Sequence, residues 1–314
     1  MNILLTGATG FIGSYIFKLL KDEGYNIIGF DNFINNTSIQ QVFTPEEIDK
    51  SVIIKGNIQD LPTLIHTCQD YKINTIIHTA SLMGSETNNY SEAVKVNILG
   101  TINIFETARI LNMRRVVWAS SQTVYGPQDK HPQEFIPKDA PHFPETNYSA
   151  SKSYLEFVGR YYYDYYGLDN IALRYCAVYG IGRLRGSDNF LNELIIKPAY
   201  DLPAIVEYKD ASPNLIYVKD AARATLLACT VNSTKRRAFT ITGEAKPVKA
   251  VRDYILTLLP DAEITLKPKA YSCSWSFDTH YVEEELGYKP GYSAEEGIKE
   301  TINLIRKSRN LPAI

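Results

Sequence analysis

Residues 6–13 read TGATGFIG, and this stretch predicts the fold because it lies between a short apolar run and an amphipathic one. Gly7 permits a tight turn, Gly10 lets the backbone approach a pyrophosphate, and Gly13 lets a helix pack closely on a strand. The N–H groups that begin such a helix bind phosphate oxygens. A glycine triplet in this strand–turn–helix context therefore predicts a dinucleotide-binding site, rather than a glycine-rich turn without a ligand.

Short apolar runs alternate with helical patterns through the first half of the chain. We predict strands at residues 3–6, 26–30, 52–55, 75–78, 115–119 and 171–174. We predict helices at residues 11–23, 90–111 and 148–166. This alternation is typical of a parallel sheet with helices on both faces. The predicted fold class is therefore α/β, with a Rossmann-type doubly wound parallel sheet.

The pattern becomes irregular after residue 175, where a loop-rich segment precedes one more strand and helix. We predict a dinucleotide-binding domain formed by residues 1–175 and about 214–234. The rest, about 176–213 and 235–314, is predicted to form a smaller, discontinuous C-terminal substrate lobe. A cleft between two such lobes is the usual place for a substrate.

The composition excludes several classes of protein. The 314 residues are 45% hydrophobic and 22% charged, as in ordinary globular proteins. A formal net charge of −2 gives no electrostatic case for a nucleic-acid or membrane partner. No apolar run approaches the roughly 20 residues that span a bilayer. The chain starts without a basic leader and its four cysteines show no CxxC spacing, so a cytoplasmic localisation is expected. The histidines show no ligand spacing, and no metal site is predicted.

Two acidic residues near predicted strand ends are candidate cofactor contacts. Asp31 ends the second strand, where a carboxylate accepts hydrogen bonds from the adenosine ribose and repels a 2′-phosphate. This favours NAD over NADP, although a solvated strand-end carboxylate is the alternative. Asp60 follows the third strand. It can contact the adenine, or it can cap a helix over residues 61–66, and the sequence leaves both possibilities open.

Tyr148 and Lys152 stand four residues apart in YSASK, so they share one face of a predicted helix. The Lys152 ammonium favours the phenolate and lowers the pKa of the Tyr148 phenol. A phenol tuned in this way can act as a general base toward an alcohol. Ser121 follows the fifth strand at the ligand-binding edge of the sheet, and its hydroxyl can hold the reacting oxygen. Ser120 is the neighbouring alternative.

These motifs resemble those of the extended short-chain dehydrogenase/reductases, and most closely those of the NAD-dependent epimerase/dehydratase family. The resemblance rests on TGATGFIG, the strand-end Asp31, SSQTVYG at 120–126 and YSASK at 148–152. It continues in order through VNILGT at 96–101, LRYCAVYG at 173–180, IYVKDAARA at 216–224 and LGYKPGYSAEEGI at 286–298. The resemblance therefore covers nearly the whole chain.

The resemblance implies NAD as cofactor and a catalytic set of Ser121, Tyr148 and Lys152. It implies that Lys152 also bonds the nicotinamide ribose, and that Asn97 is the family asparagine on the helix behind the site. The implied cofactor contacts are Gly7, Gly10, Phe11, Ile12, Gly13, Asp31, Asn32, Ile58, Asp60, His78, Thr79, Ala80, Asn97, Tyr148 and Lys152. It further implies a homodimer, because the family packs the tyrosine-rich helix after Lys152 at a two-fold interface.

The expected substrate contacts are Ser121, Gln122, Thr123, Ala177, Arg183, Arg185 and Asn189. Gln122 and Thr123 stand where the family's 4,6-dehydratases carry acidic residues and its decarboxylases a glutamate, so both activities are disfavoured. Ala177 replaces a substrate-contacting asparagine, and Pro213 replaces the arginine that holds a diphosphate. Arg183 and Arg185 can supply a different anion site, or they can lie in a solvated loop.

The expected function is NAD-dependent oxidation and reduction of a secondary alcohol on a sugar-like substrate, as an epimerase of a sugar or nucleotide sugar. One alternative is an NAD-dependent dehydrogenase of a smaller sugar or hydroxy acid. A second alternative, from another class, is a non-catalytic protein that binds NAD as a sensor, which the fold alone does not exclude. The complete Ser121, Tyr148 and Lys152 set argues against a pure sensor.

Overall fold

A seven-stranded, entirely parallel sheet forms the centre of the computed structural model, which describes residues 1–34, 37–183 and 190–314. Its strands are β1 (Asn2–Thr6), β2 (Asn26–Asp31), β3 (Ile53–Lys55), β4 (Thr75–His78), β5 (Arg115–Ser121), β6 (Asn170–Tyr175) and, from the C-terminal part, Ala238–Ile241. The spatial order is Ala238–Ile241, β6, β5, β4, β1, β2, β3. The chain thus builds one side of the sheet from β1 to β3 and then crosses to the other side at β4, which creates a switch point between β1 and β4.

Helices cover both faces of this sheet. They are α1 (Phe11–Asp22), α2 (Thr37–Gln40), α3 (Pro45–Asp49), α4 (Leu61–Asp70), α5 (Tyr90–Ala93), α6 (Gly100–Ile110) and α7 (Asn147–Tyr166). Apolar residues of α4, α6 and α7 join one buried cluster against the sheet, while those of α1 join a second cluster on the opposite face. The predicted doubly wound parallel sheet is therefore confirmed.

The C-terminal part adds smaller sheets to the carboxyl edge of the central sheet. The strands of these smaller sheets are β7 (Ala177–Tyr179), β8 (Ala204–Val206), β9 (Asn214–Tyr217), β11 (Glu244–Ala245) and β12 (Ile264–Leu266). The strand Ala238–Ile241 of the central sheet is β10. The remaining helices are α8 (Phe190–Ala199), α9 (Val218–Thr230), α10 (Val248–Leu258), α11 (His280–Leu286) and α12 (Ala294–Ser308). Helix α9 packs against α1 beneath the central sheet. Asp220 of α9 accepts hydrogen bonds from the N–H groups of Gly291 and Tyr292, which joins the C-terminal segment to the sheet.

Strand β10 lies in the central sheet. The predicted boundary places residues 238–241 in the substrate lobe, whereas these residues pair in parallel with β6 and form the edge of the central sheet. A four-residue apolar run does not reveal this long-range pairing. The ring of Phe239 in β10 also stacks on Tyr281 of α11 at 5.8 Å. The division into two lobes stays a prediction.

The predicted helix over residues 90–111 is divided into three segments. Helix α5 is followed by a π-helical turn, Val94–Leu99, and then by α6. A π-helical turn inserts one residue into a helix and rotates the side chains that follow. This turn carries Asn97, which is almost fully buried.

Candidate active site

A cleft of about 500 Å³ runs along the carboxyl ends of the central strands. Its lining comes from the segments that directly follow β1, β2, β3, β4, β5 and β6, together with the first turns of α7. Parallel strands present all their carboxyl ends at one edge, and the crossing of the chain between β1 and β4 opens a crevice there. The cleft therefore lies where a doubly wound sheet binds its ligand.

The glycine turn closes tightly at the bottom of this cleft. Gly7 has a φ of +74°, and a Cβ on it would lie 2.6 Å from the backbone nitrogen of Ala80. A Cβ on Gly13 would lie 2.0 Å from the carbonyl oxygen of Gly7. Helix α1 begins directly after Gly10, with no side chain capping it. Phe11, Ile12 and Gly13 line the cleft, and the first N–H groups of a helix have no intrahelical partners, so this turn fits a pyrophosphate.

Asp31 is held at the end of β2 by the same turn. Its Oδ2 accepts hydrogen bonds from the N–H of Thr9 at 3.0 Å and the Thr9 hydroxyl at 2.8 Å. Its Oδ1 accepts from the N–H of Phe33 at 3.1 Å. Asp31, Asn32 and Phe33 all line the cleft, as predicted for the first two. Thr9, which lies within the glycine motif and orients the predicted ribose acceptor, was not predicted as a site residue.

The predicted catalytic side chains meet at the other end of the cleft. Ser121 ends β5, while Tyr148 and Lys152 lie in the first two turns of α7, which begins at a capping box on Thr146. The Lys152 Nζ lies 5.5 Å from the centroid of the Tyr148 ring and donates to the carbonyl of Ala119 at 2.7 Å. All three predicted residues line the cleft, so the structure brings the set together.

The hydroxyl of Ser121 is oriented by its neighbour. Its Oγ accepts hydrogen bonds from the Thr123 N–H at 3.2 Å and the Thr123 hydroxyl at 2.9 Å. The Ser121 proton is thereby left to donate toward a substrate oxygen. Ser120, the alternative, donates its own hydroxyl to Glu156 at 2.6 Å. The geometry therefore favours Ser121 over Ser120 as the residue that holds the reacting oxygen.

Lys152 is a buried ammonium. Burial lowers its pKa to about 8, and the negative charge of Glu156 opposes that shift. At pH 7 the ammonium is therefore mostly protonated. A cation in this position, beside the Tyr148 ring, stabilises a phenolate and makes Tyr148 the better proton acceptor.

Two residues predicted as cofactor contacts, Asp60 and His78, also have hydrogen-bond partners within the fold. The Asp60 carboxylate caps α4, where it accepts hydrogen bonds from the N–H of Thr63 at 3.1 Å and its hydroxyl at 2.7 Å. The preceding residues Asn57, Ile58 and Gln59 line the cleft, and Asp60 caps the helix that follows them. The cofactor contacts at Ile58 and Asp60 stay predictions. His78 is wholly buried between the hydroxyls of Thr6 and Thr101, at 2.7 and 2.9 Å.

His78 therefore lies behind the cleft and not in it. Burial lowers its pKa to about 3, with a further contribution from the charge of Lys152, so the imidazole is neutral. The next residues along the chain, Thr79 and Ala80, do line the cleft as predicted. Because successive side chains of a strand point to opposite sides, a strand-end segment cannot place all its side chains toward one ligand.

Asn97 acts through the loop after β4. Its Oδ1 accepts from the N–H of Leu82 at 2.8 Å and the Ser81 hydroxyl at 3.1 Å, and its Nδ2 donates to the Leu82 carbonyl at 3.0 Å. Ser81 and Leu82 line the cleft, whereas Asn97 is buried behind them. Asn97 therefore positions this loop, and its predicted cofactor contact stays a prediction.

The predicted substrate residues fall into three groups. Thr123 and Arg183 line the cleft, and a guanidinium nitrogen of Arg183 donates to the carbonyl of Val178. Gln122 and Ala177 are buried, and their predicted substrate contacts stay predictions. The Gln122 amide donates to Cys273 Sγ at 3.2 Å. Arg185 and Asn189 lie outside the described residues.

The alternation of strand β7 explains the position of Ala177. Cys176 and Val178, on either side of it, both line the cleft. Side chains along a strand alternate between its two faces, so the residue between two cleft-lining residues points into the core. The sequence pattern does not show which face of this segment lies toward the cleft.

Over residues 1–34, 37–183 and 190–314, no three His, Cys, Asp or Glu side chains come together as metal ligands. Within these ranges, no helix has both the length and the apolar character needed to cross a membrane. The four cysteines are buried.

Comparison with known proteins identifies the family. The model of the NAD dependent epimerase/dehydratase family matches residues 3–241, about three quarters of the chain. The chain therefore belongs to the NAD-dependent epimerase/dehydratase family, as the motifs predicted. The glycine turn, which a Cβ would fill, and the strand-end carboxylate of Asp31, predicted to accept from the ribose, both fit the NAD of this family.

Similar proteins with reported activities cover the whole chain. It is 27% identical to a UDP-glucuronate 4-epimerase of Thermodesulfobacterium geofontis, across 98% of this chain and 97% of that protein. The fold matches UDP-glucose 4-epimerase of Thermotoga maritima, crystallised with UDP-glucose, with a TM-score of 0.85, 23% identity and coverage of 98% and 100%. It also matches an L-threonine dehydrogenase of Cupriavidus necator with a TM-score of 0.86, 21% identity and coverage of 96% and 99%.

The position of Asp31 predicts cofactor selectivity. Wild-type protein is expected to bind NAD more tightly than NADP. Asp31→Ala is expected to weaken NAD binding by about 10- to 100-fold and to reduce the difference in affinity between NAD and NADP. The loss corresponds to one charge-assisted hydrogen bond of about 1.5–3 kcal/mol. Titration calorimetry with both cofactors measures the effect. Asp22→Ala, an exposed carboxylate on α1, is the control. A wild-type preference for NADP would remove the role of Asp31.

Proposed function

We propose that this protein is an NAD-dependent epimerase that inverts a secondary alcohol on a nucleotide sugar. The convergence of Ser121, Tyr148 and Lys152 at one end of the cleft, with the glycine turn at the other, carries this proposal. The 4-epimerase relative, aligned over almost the whole chain, supports the choice of reaction and substrate class.

The site residues divide into those that hold the cofactor and those that act on the substrate. The glycine turn at Gly7, Gly10 and Gly13 would hold the pyrophosphate, Asp31 the adenosine ribose, and Lys152 the nicotinamide ribose. Oxidation of an alcohol requires a hydride acceptor, which bound NAD supplies.

The chain's own part in the reaction is movement of a proton. Ser121 donates a hydrogen bond to the reacting oxygen, because its Oγ already accepts from Thr123. Tyr148, as phenolate, accepts the hydroxyl proton, and the buried ammonium of Lys152 favours that ionised form. In the reverse direction Tyr148 returns the proton to the oxygen. The same residues therefore serve oxidation and reduction, as epimerisation requires.

The two residues that follow Ser121 disfavour elimination chemistry. Dehydration needs an acid and a base beside the reacting carbon, and the residues after Ser121 supply neither. Gln122 is buried against Cys273, and Thr123 is engaged with Ser121. We therefore propose that the enzyme is neither a 4,6-dehydratase nor a decarboxylase.

The residues in the part of the cleft beyond Ser121 indicate which kind of substrate the protein binds. Pro213 is buried and has no donor to offer, and Arg183 lines the cleft beside Val178. We propose that a diphosphate is held by Arg183, together with Arg185, instead of by an arginine at position 213. A dehydrogenase of a smaller substrate is the second candidate, because the loss of the usual clamp favours a substrate without a diphosphate. A threonine dehydrogenase shares this fold.

We also propose a homodimer, built on the outer face of α7. Tyr154, Phe157, Tyr161 and Tyr165 follow a helical spacing and are all exposed, with Phe157 at 67%. The rings of Tyr161 and Tyr165 stack at 4.3 Å. Exposed apolar side chains on the neighbouring segment, at Tyr90, Val94, Leu99 and Ile110, extend this surface. A contiguous aromatic surface of this kind marks a protein interface.

A cytoplasmic localisation remains part of the proposal.

Removal of the Tyr148 hydroxyl tests the mechanism. Tyr148→Phe is expected to lower turnover by roughly 10²–10⁴, because general-base catalysis contributes about that much, while NAD affinity is retained. Turnover is measured with UDP-glucuronate and UDP-glucose as trial substrates, following product sugars and NADH. Tyr154→Phe, an exposed tyrosine on the same helix, is the control. Activity of Tyr148→Phe within a few-fold of wild type would mean that Tyr148 is not the base, and steady accumulation of NADH would favour the dehydrogenase.

The anion site is tested by a double variant. Arg183→Ala combined with Arg185→Ala is expected to weaken UDP-sugar binding by at least about tenfold, because each charge-assisted hydrogen bond is worth roughly 1.5–3 kcal/mol. Calorimetry with UDP-glucose and UDP-glucuronate measures the change, and Arg252→Ala is the surface control. Tight UDP-sugar binding that survives the double substitution would contradict the relocated clamp. An absence of binding by wild type would favour the smaller substrate.

The dimer is tested at the exposed ring of Phe157. Phe157→Glu places a charge in the proposed interface and is expected to halve the mass measured by light scattering after size-exclusion chromatography. Phe135→Glu changes another exposed phenylalanine ring elsewhere and is expected to leave the mass unchanged. A monomeric wild-type protein, or a Phe157→Glu variant that stays dimeric, would refute this interface.

A further inference from the structure

Helix α7 carries a third functional side chain at the spacing of the first two. Tyr148, Lys152 and Glu156 are four residues apart, so they lie along one face of the helix. The side chain of Glu156 is 8% exposed, one turn beyond Lys152 and away from the cleft opening. A buried carboxylate is costly unless it is paired, so its partners indicate why it is there.

The partners of Glu156 are two paired residues on neighbouring strands of the central sheet. Its carboxylate accepts the Ser120 hydroxyl at 2.6 Å, the Arg174 Nε at 2.8 Å and the Arg174 Nη2 at 2.5 Å. Ser120 of β5 and Arg174 of β6 are direct partners in the parallel ladder. Ser120 also directly precedes Ser121. The Glu156 carboxylate thus links α7, which carries Tyr148 and Lys152, to the end of β5, which carries Ser121.

The charge of Glu156 acts on the same helix. Burial raises its pKa, but the neighbouring Arg174 charge outweighs this and lowers the pKa, so the carboxylate is ionised. Burial of Lys152 lowers the pKa of its ammonium, and Glu156 is the charge that opposes this. The titratable groups around Glu156 are Lys152 on α7, Arg174 on β6, His142 on the loop before α7, Tyr125 after β5 and Tyr281 on α11.

We propose that Glu156 is a positioning residue of the active site, which sets both the place of the catalytic helix relative to Ser121 and the charged state of Lys152. This inference rests on the proposed role of Lys152 and Tyr148. The two effects are separable, because the link to the sheet depends on the hydrogen bonds of Glu156 whereas the support of Lys152 depends on its negative charge.

Two variants separate charge from position. Glu156→Gln keeps the size of the side chain but leaves Arg174 as an uncompensated buried cation, so the Lys152 pKa is expected to fall by about one unit or more. The double variant Glu156→Gln with Arg174→Gln restores neutrality, so the Lys152 pKa is expected to return toward its wild-type value. Both variants are expected to lose at least about tenfold in turnover, because both alter the link between helix and strand.

The readout does not depend on activity alone. The Lys152 pKa is followed by NMR in protein labelled with ¹³C at the lysine ε-carbon, its signal being the one that Lys152→Met removes. The pH profile of turnover is measured in parallel, and its alkaline limb is expected to move to lower pH in the single variant only. Asp169→Asn disrupts another buried ion pair, with Arg115 at the opposite end of β5, and is expected to lower stability without moving either titration.

Specific results would overturn the proposal. A folded Glu156→Gln protein whose Lys152 titrates as in wild type would remove the effect on charge. If Glu156→Gln does not fold, the neutral double variant decides, and wild-type turnover there would remove the positioning role. These failures differ from failure of the proposed function, which shows itself as an active Tyr148→Phe variant, and the NMR titration is independent of substrate.

Discussion

Parallel hydrogen bonding of β1 to both of its neighbours is the constraint on which the site depends. Thr6 is in register with Phe30 of β2 on one side and with His78 of β4 on the other. At the strand end the Gly7 N–H donates to the Phe30 carbonyl, and the Thr79 N–H donates to the Thr6 carbonyl. The glycine turn is therefore fixed by backbone groups on both sides, and only a residue without a side chain fits between them.

The same register continues to the catalytic residues. His78 of β4 is the ladder partner of Trp118 in β5, and Ser121 lies three residues further along that strand. Helix α7 then packs on β5 and β6 with Lys152 bonded to the Ala119 carbonyl. The distance between the glycine turn and the reacting end is thus determined by strand pairing, so neither end relies on a loop for its position. A site built on such elements is held more precisely than one built on loops.

Local motifs predicted most of this arrangement, and their limits are physical. The glycine triplet, Asp31, Ser121, Tyr148 and Lys152 were found because each depends on spacing within a few residues. The side-chain directions of Asp60, His78 and Ala177 were not predicted, because they depend on which face a strand buries or which helix a residue caps. The place of strand β10 in the central sheet was not predicted, because its pairing partner lies more than 60 residues away in the chain. The link through Glu156 likewise appears only when helix and sheet are packed together.

The two outer edges of the central sheet affect how the protein associates with other chains. Strand β3 has three residues and β10 has four, so each outer edge offers few unpaired backbone groups. Long exposed edges invite strand addition by another chain and lead to aggregation, and short ones suppress it. Lys55, at the end of β3, adds a charge that further discourages such pairing. A sheet protected in this way leaves its helical faces as the surfaces on which ordered association can occur.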